Sequence, residues 1–68
     1  MGNKIIRLSE VESITGLSGS TIYLRIKEKR FPASVNLGDR AVGWLVADIE
    51  DWIDQRIKIS REVRKDEK

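Results

Sequence analysis

Residues 15–44 read TGLSGSTIYLRIKEKRFPASVNLGDRAVGW, and this stretch decides the fold. It opens on a short turn, passes into a basic helix, and closes with two β-favouring runs, Ser34 to Leu37 and Ala41 to Leu45, around Gly38-Asp39-Arg40. Ser18 is a good N-cap for a helix over Gly19 to about Lys29, and Pro32 keeps Phe31 extended. Ile22 and Ile26, one turn apart, mark the buried side. At 100° per residue Ser20, Leu24 and Lys27 fall nearly opposite, with Thr21, Tyr23 and Glu28 at the edges. The product is a helix-turn-helix followed by a wing with Arg40 at its tip. Such a layout suits a helix laid in the major groove of DNA with a hairpin gripping the adjacent backbone.

Working outward, Ile5 to Leu8 form an apolar lead-in. Ser9 and Glu12 have the S-x-x-E spacing of a capping box, which predicts a first helix from about Glu10 to Thr15, with Val11 and Ile14 as its apolar face and Gly16 ending it. On the other side, a third helix starts near Ala47, with Ile49, Trp52, Ile53 and Ile57 on one stripe and Asp48, Glu50, Asp51 and Asp54 elsewhere. From Lys58 the stripe is lost except for Ile59 and Val63, so 58–68 reads as a frayed helix end or a mixed-charge tail. Val35, Leu37, Val42 and Trp44 are expected to anchor the hairpin to the helices. The fold class is therefore mainly α with a small β-hairpin, a winged helix-turn-helix of three helices and a two-stranded wing, in a single domain over residues 1–68.

Composition narrows the function. A chain of 68 residues leaves no room for a substrate cavity between lobes. Cysteine and histidine are both absent, which excludes disulfides, zinc fingers, thiol nucleophiles and imidazole acid–base chemistry and argues against an enzyme; no cofactor, metal or small-molecule ligand is expected. No apolar run reaches the length of a membrane span and no signal peptide is evident, so the expected location is cytoplasmic, with the nucleoid. Net charge is only +2, but it is unevenly placed. Between Gly19 and Arg40, Arg25, Lys27, Lys29, Arg30 and Arg40 face only Glu28 and Asp39. Between Ala41 and Ile57, Arg56 alone opposes Asp48, Glu50, Asp51 and Asp54. Positive charge gathered on one motif suits local phosphate contact, although charges on a small domain also serve solvation.

Candidate DNA-contacting residues follow from this placement. Lys27 is the first choice for a phosphate. Arg25 can bond guanine, or it can pack its stem and pair with an acid of the third helix, since it leans toward the buried side. Ser20, Thr21 and Tyr23 can bond phosphates, and Ser18 can do so besides capping the helix. Arg40 can reach a minor groove or a phosphate, and Arg30, with Lys29, can add backbone contacts. Leu24 either touches a thymine methyl or belongs, with Tyr23, to an apolar surface for a protein partner. The second possibility would make the chain a protein-interaction module on the same scaffold.

The segments RLSEV (7–11), TGLSGSTIY (15–23), IKEKRFP (26–32), LGDRAVGW (37–44) and DIEDWI (48–53), taken in order, resemble the AlpA family of phage and prophage regulators. These are winged-helix proteins related to excisionases and to the DNA-binding part of MerR-type regulators. The resemblance covers about Ile6 to Ile57. It implies a double-stranded-DNA-binding protein of a bacterium or phage that regulates transcription near a mobile element or serves as an excisionase, with an integrase or further copies of itself on adjacent sites as partners. The family often carries a basic residue where this chain has Gly19 and an Arg where it has Leu24, and usually a Gly where it has Lys29. Two expected DNA contacts are thus absent, which implies a different target sequence.

Overall fold

The computed structural model of the chain describes residues 3–66. In order, the elements are β1 (Ile5–Ile6), α1 (Leu8–Thr15), α2 (Gly19–Lys27), β2 (Val35–Gly38), β3 (Ala41–Leu45) and α3 (Val46–Asp66). Three helices and a small antiparallel sheet make the winged helix-turn-helix. The lead-in does more than pack on the core. Ile5 pairs with Leu45 and Ile6 with Trp44, so the wing is a three-stranded sheet of order β1-β3-β2 rather than a two-stranded hairpin.

This added strand also explains where α1 begins. The chain leaves β1 directly into the helix, Arg7 takes the N-cap place with no side-chain cap, and the Val11 amide bonds the Arg7 carbonyl at 3.0 Å. Ser9 consequently lies inside the helix and the expected capping box does not form. Starting at Leu8 turns Leu8 and Val11 onto the core and leaves Ile14 exposed, against the Val11/Ile14 face expected from spacing. Gly16 ends α1 as expected, with φ +76° and its amide on the Glu12 carbonyl. Thr15 then stitches the turn, donating its hydroxyl to the Val11 carbonyl at 2.7 Å and accepting the Leu17 amide at 3.2 Å.

Ile6, Val11, Ile22, Phe31, Trp44 and Ile49 form the buried core. Leu8, Leu17, Ile26, Val42, Val46, Trp52 and Ile53 pack around it. Two residues expected on the core side fall outside it: Leu37 of the hairpin's anchoring set and Ile57 of the third helix's stripe are exposed. Leu37 stands where a β-bulge between Asn36 and Gly38 interrupts the ladder, and Ile57 lies one turn beyond the last core contact of α3. Past that point helical backbone continues to Asp66, where loss of the apolar stripe had suggested fraying or a tail; residues 67 and 68 of that stretch lie outside the described residues.

Candidate nucleic-acid interface

The inner side of α2 is fixed by Ile22, fully buried, and Ile26. Its outer side is consequently presented to solvent. Ser20, Tyr23, Leu24 and Lys27 are all exposed, Leu24 at 53% and Tyr23 at 46%. The N-terminus is closed by its own hydroxyls. Ser18 Oγ accepts the Thr21 amide at 3.3 Å, donates to Thr21 Oγ1 at 2.9 Å and lies 3.3 Å from Ser20 Oγ. The cap expected of Ser18 is therefore present, and these three hydroxyls would have to reorient to meet a phosphate.

Glu12, expected in a capping box with Ser9, faces this end instead. A Cβ on Gly19 would stand 2.9 Å from Glu12 Oε2 and 3.3 Å from Leu8 Cδ2. The Glu12 carboxylate therefore stands against the first turn of α2. That negative charge offsets part of the positive helix end that would otherwise attract an anion. Cationic contact must come from further along.

Lys27 is exposed in the last turn of α2 and makes no ion pair among the described residues. Arg30 is exposed and holds Glu28 at 3.2 Å, a surface pair that gives way readily to a stronger anion. Arg25 is only half-exposed. It lines an open cleft of about 630 Å³ together with Asp48, Asp51 and Trp52 of α3, and among the described residues it makes no ion pair with either acid.

The end of α2 has an unexpected cause. Lys29 has φ +63°, its amide bonds the Ile26 carbonyl at 2.9 Å, and the Arg30 amide bonds the Arg25 carbonyl at 2.7 Å. This is a Schellman cap with lysine in the left-handed position that usually belongs to glycine, so α2 stops at Lys27 and not at Lys29. Two tryptophans then hold the following loop: Trp52 Nε1 donates to the Arg30 carbonyl at 2.9 Å, and Trp44 Nε1 donates to the Pro32 carbonyl at 3.1 Å. Phe31 packs its ring on Trp52, centroids 4.7 Å apart. The wing is thereby fastened to the end of α2. Tyr23 adds a tilted contact to Trp44 at 6.1 Å, which joins the exposed side of α2 to β3.

At the wing tip Gly38 pairs with Ala41 around a two-residue turn, Asp39-Arg40, with φ +47° and +66°. Two consecutive left-handed residues are the pattern of a type I′ turn, in which the second position strongly prefers glycine. Arg40 occupies it and is exposed. The sequence placed Arg40 at the tip, but the strain at Lys29 and Arg40 could be sensed only as the absence of glycine where a turn needs one.

The family model described as prophage CP4-57 regulatory protein (AlpA) matches residues 4–57, which is the whole of this arrangement. The chain belongs to the AlpA family. One AlpA relative, the DNA-binding transcriptional activator AlpA of Escherichia coli K12, is 40% identical over 82% of this chain and 89% of its own length. Another, the uncharacterized protein ORF88 of Enterobacteria phage P4, is 41% identical over 79% of this chain, and the match spans 61% of the phage protein. The AlpA match ends at Ile57, where α3 leaves the core, and the last turns of α3 lie beyond it.

Proposed function

We propose that the chain is a double-stranded-DNA-binding transcription regulator acting as one winged helix-turn-helix unit, in the cytoplasm and at the nucleoid. The observation that carries this reading is the uncovered outer side of α2, tied through Tyr23 and Trp44 to a wing that ends in Arg40. Lys27 and Arg30 neutralise backbone phosphates, Ser20, Thr21 and Tyr23 add hydroxyl bonds, and Arg40 enters the minor groove or clamps a phosphate. Leu24 meets a thymine methyl. Arg25 stays with the acids of α3. The name of the Escherichia coli relative supports the regulatory role, and the phage origin of the other supports a target near a mobile element, with excision and an integrase partner as the finer form of the proposal.

The test is a fluorescence-anisotropy titration on duplexes tiling the DNA upstream of its gene and the nearest integration junction, against a scrambled duplex. Binding at least about 10³-fold tighter than the control is expected on one tile, and its position separates promoter from junction. Lys27→Ala and Arg40→Ala are each expected to weaken that binding and lower the salt slope by about one unit. Sequence-blind binding on every tile, with a protein complex lost in Leu24→Asp, would favour a protein-interaction role for Tyr23 and Leu24 instead.

A further inference from the structure

The part of α3 that outruns the core has the surface of a helix with its partner missing. From Asp54 to Glu62 every residue is exposed, including Ile57 at 43% and Ile59 at 46%. A solvated helix of mixed polarity gains little from its own propensity and is ordinarily stabilised by packing. On this segment Asp54, Ile57, Lys58, Arg61 and Glu62 line an open hollow of about 400 Å³. The spacing i, i+3, i+4, i+7 sets Asp54, Ile57, Lys58 and Arg61 side by side on one face of the helix.

Charge identifies what would cover this face. The first half of α3 carries Asp48, Glu50, Asp51 and Asp54, with no cation before Arg56; the next turns carry Arg56, Lys58 and Arg61 against Glu62 alone. A helix acidic toward one end and basic toward the other complements itself when a second copy lies antiparallel. With the two-fold axis between Ile57 and Lys58, Ile57 of one copy faces the Lys58 stem of the other, and Asp54 faces Arg61 in two symmetric pairs. Neither Asp54 nor Arg61 makes an ion pair among the described residues of its own chain. They sit seven residues apart, about 10 Å along the axis, too far to satisfy each other within one helix.

We propose that two copies of this chain associate through an antiparallel pairing of their α3 helices centred on Ile57 and Lys58, with Asp54–Arg61 pairs closing both ends. One helix pair buries far less than the roughly 1,200 Å² of a stable interface, so the dimer is weak in free solution and is favoured when two copies are held close, as on neighbouring DNA sites. Only that last step rests on the DNA-binding reading; the pairing itself does not.

The experiment is sedimentation equilibrium of the full chain without DNA, up to about 1 mM, for the wild type, Asp54→Arg, Arg61→Asp and the double exchange, with circular dichroism as the check of helix content. The wild type is expected to rise reversibly from 7.8 kDa toward twice that mass. Each single exchange sets like charges against each other in both pairs and is expected to weaken dimerisation at least tenfold; the double exchange restores opposite pairs and should recover the wild-type curve. Rescue cannot arise from a change in the single helix, because the two positions do not meet there. A wild type that stays monomeric throughout, single exchanges without effect, or a double exchange no better than the singles would each overturn the proposal. Because no DNA is present, failure here leaves the DNA-binding reading intact.

Discussion

Lysine at 29 and arginine at 40 both stand in left-handed backbone that glycine adopts at little cost. For an L-residue that conformation costs roughly 1–2 kcal/mol, and glycine recovers it at an extra unfolded-state entropy of about 0.5–1 kcal/mol. Lys29→Gly should therefore stabilise the chain by about 0.5–1 kcal/mol, seen as a rise in Tm of roughly 4 °C. Lys29 keeps three donors exposed beside Arg30, so the same substitution separates stability from binding. Arg40→Gly should act alike on stability while weakening DNA binding, because it relieves the turn and removes the wing cation together. A variant that gained stability and kept full affinity would show that Arg40 touches no DNA. Strain held by a cation at each end of the interface is what a functional constraint predicts, since an unconstrained turn would use glycine there.

At the level of elements, β3 depends on Gly43. A Cβ there would collide with Ile5 Cγ2, stand 3.0 Å from the Ile6 carbonyl oxygen and 3.3 Å from Leu37 Cδ1. The carbonyl belongs to the neighbouring strand and cannot swing aside. Gly43→Ala should therefore cost about 1–3 kcal/mol in urea unfolding, with accelerated amide exchange in β1 as the mark that this strand is the part displaced. Nothing in the sequence announced β1, because two residues are too few to show alternation. The misplaced start of α1 follows from the same omission: the capping box at Ser9 was a sound local reading that strand pairing at Ile6 overrode. α2 was legible from its Ser18 cap and from Ile22 and Ile26 one turn apart, the body of α3 from Ile49, Ile53 and Ile57 recurring over successive turns, and the hairpin from Gly38-Asp39-Arg40. The exposed residues of α2 could be read from that same period. What joins them to the wing could not, since the Trp44 and Trp52 bonds to the carbonyls of Pro32 and Arg30 cross 12 and 22 residues of chain and leave no local pattern.

The whole molecule offers DNA few charges. The contacts proposed for phosphate are Lys27, Arg30 and Arg40, with Lys29 exposed beside Arg30, while Glu12 opposes an anion at the α2 N-terminus and Arg25 lines the cleft with Asp48 and Asp51 of α3. Three phosphate contacts correspond to a slope of log K against log[salt] of about −3, a loss of roughly 40-fold between 50 and 200 mM. One copy at one site should show that slope in anisotropy titrations across the same range. Two copies binding as a unit should show about twice it, and Asp54→Arg should return the slope of the cooperative complex to the single-copy value if α3 pairing joins them. A slope near zero for the wild type would deny phosphate contact at all three residues. With so shallow an electrostatic term, a single copy holds little affinity that is blind to sequence. Most of its selectivity must then come from base contacts by the α2 face and from a neighbour on the adjacent site, so a target made of two half-sites should bind far more tightly than either half alone.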